Sequence, residues 1–134
     1  MLKNIIIFSC LIVGFSANAA INDDVKASTA IGLKKIEAEK NACFKAAKFS
    51  GESSDCLVDA IKRKQILLDA LTDIRATRAK GDTEQLLNIF NDQRTFNLLK
   101  DDCKKLLKVS NPNSGFYYQY QCELNVQDLY FKYL

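Results

Sequence analysis

The placing of the cysteines constrains this chain more than any other feature. Of the five in 134 residues, four form two pairs at hairpin spacing, Cys43 with Cys56 and Cys103 with Cys122. The fifth, Cys10, falls in a segment with the three parts of a secretory signal. Lys3 is the charged start, Ile5–Phe15 the apolar core and Ala17-Asn18-Ala19 a small-x-small cleavage site. The expectation is a signal peptide over 1–19 cleaved after Ala19, with Cys10 lost. Cleavage also removes Lys3 and no acid, so the formal charge falls from +3 to +2. An even cysteine count in an exported chain reads as two disulfides rather than free thiols. The protein is then periplasmic or secreted.

Residues 20–134 are enough for a single domain that buries its own core. The small net charge argues against nucleic acid as a partner. The apolar core of the leader is about half the ~20 residues of a membrane span, which argues against a stable membrane anchor.

Helical periodicity dominates, with one proline and five glycines in the whole chain. Asp23-Asp24 can cap a first helix that places Val25, Leu33, Ile36 and Cys43 on one face. Ser50–Asp55 reads as a turn cluster, followed by a helix capped by Ser54 or Asp55 with Leu57, Ile61, Leu68 and Leu71 as its stripe. Lys80-Gly81-Asp82 should end it and begin the next cap. Ile89, Phe96, Leu99, Cys103 and Leu106 then recur at helical steps. Val109–Gly115, with Pro112, is a break. The last segment puts Tyr118, Cys122, Val126, Leu129 and Tyr133 on one face. Its aromatic start also suits a strand, but the polar residues beyond Cys122 spoil a two-residue alternation, so helix is preferred. The fold expected is all-α with four helices and two disulfides, as a small antiparallel bundle or two stacked helical hairpins.

Four cysteines allow three connectivities, which sequence does not decide. Closure of short loops favours Cys43–Cys56 with Cys103–Cys122. There is no Cys-x-x-Cys and no histidine, so neither redox nor zinc chemistry is suggested, and no cofactor is expected. The missing histidine also removes the commonest general acid–base group. Asp23-Asp24, Glu37/Glu39, Asp55/Asp59 and Asp101-Asp102 are better read as caps, helix-surface ion pairs (Asp59–Arg63, Asp101–Lys105) or solvated faces. A non-enzymatic role is therefore expected. The basic run Lys62-Arg63-Lys64, with Arg75, Arg78 and Lys80, reads as a solvated helix face. Tyr117, Tyr118, Tyr120, Tyr130 and Tyr133 read first as core lining whose hydroxyls reach the surface; five are too many for one helix face, which makes an interface the second reading.

The stretch Asp92–Cys103 resembles the Gln-Arg-x-Trp…Arg-Asp-x-x-Cys helix of LprI-like lysozyme inhibitor domains, with Phe96 at the tryptophan and Lys100 at the arginine. Cys43 and Cys56 are similar in spacing to that family's first two cysteines. Gly115–Cys122 and the closing segment Asp128–Leu134 are similar in order, so the likeness covers about 40–134. The family's Thr-x-x-Arg after the last cysteine is absent, and its Leu-Asn motif is echoed only by Leu67-Leu68-Asp69. The resemblance implies a periplasmic protein that binds and blocks a lysozyme-type muramidase. Animal muramidases are strongly basic, so Glu52, Asp55 and Asp59 near the first loop are candidate contacts, with Tyr117 and Tyr120. The alternatives from other classes are an immunity protein neutralising a periplasmic toxin, and a structural or stress-related envelope protein. The oligomeric state is left open.

Overall fold

A computed structural model describes residues 21–106 and 115–134. The expected signal peptide with Cys10 lies outside them, as does the break before Gly115. Among the described residues there are four α-helices and no strand: α1 (Asp23–Ala46), α2 (Ser50–Arg78), α3 (Thr83–Cys103) and α4 (Gly115–Tyr133). The aromatic start of the last segment is thus helical.

The helix ends show which local signals win. Asn22 occupies the cap of α1 without a side-chain cap bond, and Asp23 and Asp24 fill the first turn, where their charge favours the helix dipole. The cluster Ser50–Asp55 is not a turn but the first residues of α2. The Glu52 carboxylate accepts the Lys48 backbone N–H at 2.6 Å, in the manner of the reach-back half of a capping box. Cys56 and Leu57 follow directly and are buried, at 2% and 0% exposure. Their burial outweighs the weak helix propensity of Ser and Gly. At the next junction Gly81 adopts φ +89°, and the Asp82 side chain accepts from Gln85 N at 3.1 Å, as the sequence suggests.

The four helices form two stapled hairpins. Cys43–Cys56 ties α1 to α2 and Cys103–Cys122 ties α3 to α4, with Cα–Cα distances of 5.7 and 5.6 Å. Packing runs α1 on α2, α2 on α4 and α4 on α3, with less between α2 and α3. Neighbours are antiparallel within each hairpin. Across the central contact, however, residue numbers rise together. Leu57 clusters with Leu124, Gln127 reaches Ile61, Lys64 reaches Asp128 and Leu68 clusters with Tyr130. Helices α2 and α4 are therefore parallel, and both staples lie at one end of the molecule. Of the two forms expected, the stacked hairpins are the one seen.

That central contact corrects the face read for α4. Leu124, Gln127 and Tyr130 are buried there, whereas Tyr118, Leu129 and Tyr133 are exposed. Gln127 looks like an outer residue in the sequence, yet it is fully buried with Nε2 donating to the Ile61 carbonyl at 3.0 Å. The basic run is corrected too. Lys64 is only 3% exposed and its ammonium donates to Asp128 at 2.6 Å. Arg75 pairs with Asp92 at 3.0 Å, both side chains mostly buried, and Arg63 meets Glu39 and Asp59. Asp101 pairs with Lys104 rather than Lys105, which instead takes Asp102.

Candidate functional site

Because α4 turns Gln127 and Leu124 toward α2, its apolar stripe is left facing α3 and solvent. Val126, Leu129 and Tyr133 from that stripe, with Thr95, Phe96 and Leu99 of α3, line an open groove of about 600 Å³. Its floor is the stacked pair Phe96–Tyr130, with ring centroids 4.9 Å apart and planes 17° apart. Tyr133 continues the stack, 6.5 Å from Tyr130. Leu99, Leu129 and Tyr133 form the exposed walls. Asp92 and Lys132 supply the polar part of the lining. The Lys100 ammonium sits 5.5 Å from the Phe96 ring centre, within cation–π range.

Asp92 connects this groove to the buried pair with Arg75, which fastens α3 to the lower part of α2. The Tyr130 hydroxyl and Arg75 Nη1 are buried, and neither makes a hydrogen bond of good geometry. Burial pushes the Tyr130 phenol above its ordinary range. The nearby Arg75 cation works against that shift, and Asp92 adds to it. A groove with an aromatic floor, aliphatic walls and few polar groups is suited to receiving apolar side chains of a binding partner.

The residues singled out from sequence lie elsewhere. Glu52 and Asp55 flank the Cys43–Cys56 staple in a shallow depression, and Asp59 is one turn further along α2. Glu52 is engaged by the Lys48 N–H, and Asp59 lies 3.8 Å from Arg63, which also meets Glu39. Asp55 is exposed with no ion pair among the described residues. Tyr120 is half-buried against the Ile36–Leu57–Ala60–Leu124 cluster and stacks on Phe116 at 6.2 Å. Tyr117 is partly exposed, edge-on to Tyr118 at 5.8 Å. The acids and the tyrosines share the stapled end of the molecule, but they do not form one cavity with the groove.

The groove itself escaped the sequence reading because Leu99, Val126, Leu129 and Tyr133 look like ordinary core positions. One signal was available. Helix α3 carries apolar residues on more than one side, which a helix covered on a single face does not need.

The comparisons with known proteins are silent. No family model, no curated protein and no solved structure matches this chain. Among the described residues, no helix is long and apolar enough to cross a membrane.

Proposed function

We propose that this chain is an exported, non-catalytic binding protein that holds a protein partner in the groove between α3 and α4, and that a lysozyme-type muramidase is the first partner to test. The observation that supports it best is the uneven distribution of exposed apolar surface. Among the described residues, ten of the thirteen large hydrophobic side chains left exposed belong to α3 and α4. Scattered exposed apolar residues need no explanation, but three of these ten, Leu99, Leu129 and Tyr133, converge on one open groove, as an interaction surface would require.

This reading docks the partner in the groove rather than at the acidic residues. Of the acidic trio, Glu52 accepts the Lys48 N–H and Asp59 lies 3.8 Å from Arg63, whereas the groove offers aromatic and aliphatic surface of the kind that anchors protein interfaces. The muramidase itself rests on the resemblance of Asp92–Cys103 to the LprI-like helix.

A lytic assay tests the reading. Stoichiometric excess of the purified protein is expected to slow lysis by a lysozyme-type enzyme, and Leu129→Glu, which places a charge on the groove wall, is expected to abolish the effect. Undiminished lysis with the unaltered protein would remove the muramidase as its partner.

A further inference from the structure

The other side of α3 presents a second apolar stripe. At about 100° per residue, Ile89, Phe96 and Cys103 point one way, into the molecule, where they are 6%, 5% and 1% exposed. Leu87, Phe90 and Leu98 point nearly the opposite way, at 57%, 61% and 57% exposure. Arg94 falls between Phe90 and Leu98 on the same bare side, exposed and with no ion-pair partner among the described residues. Helix α3 is the outermost element of the packing order, so no other described helix covers this stripe.

The order along the stripe is leucine, phenylalanine, arginine, leucine. Set against its own reverse, leucine meets leucine at both ends and phenylalanine meets arginine between them. If two copies of α3 cross antiparallel about a two-fold axis near Asp92–Gln93, Leu87 of each meets Leu98 of the other. Phe90 of each then lies against Arg94 of the other, the pairing that cation–π attraction favours. We propose that this chain forms a two-fold dimer through the outer face of α3, with that register. This surface faces away from the groove, so the dimer does not depend on the partner-binding reading and leaves both grooves open.

The pairing of Arg94 with Phe90 suits a second copy as the occupant, and the area sets how strong the association is. The bare Leu87, Phe90 and Leu98 expose roughly 400 Å² per copy, about half of what each partner contributes to a standard interface. Polar neighbours must make up the rest, which places the dimer among weak, concentration-dependent associations. The two acids toward the C-terminal end of the stripe each have a lysine partner. Asp101 is held by Lys104 at 2.8 Å and Asp102 by Lys105 at 2.5 Å. The lysines offset part of the acidic charge that Glu84 meets, since the proposed register brings it opposite them. The Arg94 charge lies over an aromatic ring rather than against a like charge.

Sedimentation velocity on the full folded protein, from micromolar to millimolar concentration, tests the proposal. A reversible monomer–dimer transition is expected, with Phe90→Lys, which sets a second cation against Arg94 of the other copy, monomeric throughout and unchanged in circular dichroism, since Phe90 is 61% exposed and supports no core. The register is tested by mixing Leu87→Cys protein with Leu98→Cys protein under mild oxidation. The mixture is expected to cross-link faster than either variant alone, because positions 87 and 87 of two copies lie about 16 Å apart along the antiparallel pair. A monomer at all concentrations would overturn the dimer, as would association that survives Phe90→Lys. Cross-linking of Leu87→Cys alone as fast as the mixture would overturn the register.

Discussion

Lys64 and Asp128 form an ion pair with very unequal surroundings: the lysine side chain is 3% exposed and the aspartate side chain 50%. Removing one partner therefore does not cost the same as removing the other. Asp128→Ala strands a buried ammonium between α2 and α4, and loss of the partner of a buried charge costs about 3 kcal/mol or more. Lys64→Met leaves a half-solvated carboxylate and fills the space with apolar volume, so it is expected to change stability by less than ~1 kcal/mol. Urea unfolding of both variants checks this asymmetry. Tyr130 gives a second test at the same scale. Its phenol pKa is raised above the ordinary value of 10.0, mainly by burial. Below that ordinary value the phenol is neutral in both folded and unfolded chains, and its contribution is complete. As pH rises past it, the unfolded phenol ionises first and stability falls, until the folded phenol ionises too. Tyr130→Phe is expected to be close to neutral at pH 7, because the buried hydroxyl lacks a well-formed hydrogen bond. Thermal unfolding above pH 10 should then show a smaller decline in the variant than in the original chain.

At the scale of helices, the short-range signals were legible and the long-range ones were not. Gly81 and Asp82 act on backbone within three residues of themselves, and their roles at the α2–α3 junction follow from residue type. The start of α2 misleads because Ser50–Asp55 has the composition of a loop, while burial of Cys56 and Leu57 decides its conformation. The buried face of α4 depends on the Ile61 carbonyl, sixty-six positions away from Gln127, and no local pattern reveals that partner. The cysteine pairing falls between these cases. Loop closure favours the nearer cysteines, and the helix ends bring those same pairs together. Each staple closes a short loop, with separations of 13 and 19 residues. In the chain-entropy model each contributes about 3 kcal/mol. Replacing Cys103 and Cys122 by alanine is expected to remove at least that much, because Cys103 is 1% exposed and its sulfur also fills core space. Calorimetric melting of that double variant checks the figure. The corresponding change at Cys43 and Cys56 should cost less, since Cys43 lies at the surface.

For the whole molecule, the two-hairpin plan was readable from cysteine spacing and helix length. What was hidden is how the hairpins meet. Parallel packing of α2 on α4 consumes Leu124, Gln127 and Tyr130, and that choice turns Val126, Leu129 and Tyr133 outward. The candidate site thus exists because a glutamine and a lysine were accepted into the central contact. The acidic tip at Glu52, Asp55 and Asp59 reads more readily as a binding site, yet it offers only a shallow depression beside the Cys43–Cys56 staple, and Glu52 is already engaged by the Lys48 N–H. The central claim is that the working surface is the apolar groove of α3 and α4. It is tested most directly by titrating the native protein with an environment-sensitive apolar dye, before any partner is known. Saturable binding to one site per chain is expected, lost in Leu129→Glu and Leu99→Glu and retained in Asp55→Asn and Phe90→Asp. Absence of binding to the native fold, or binding indifferent to Leu129→Glu and Leu99→Glu, would contradict the account.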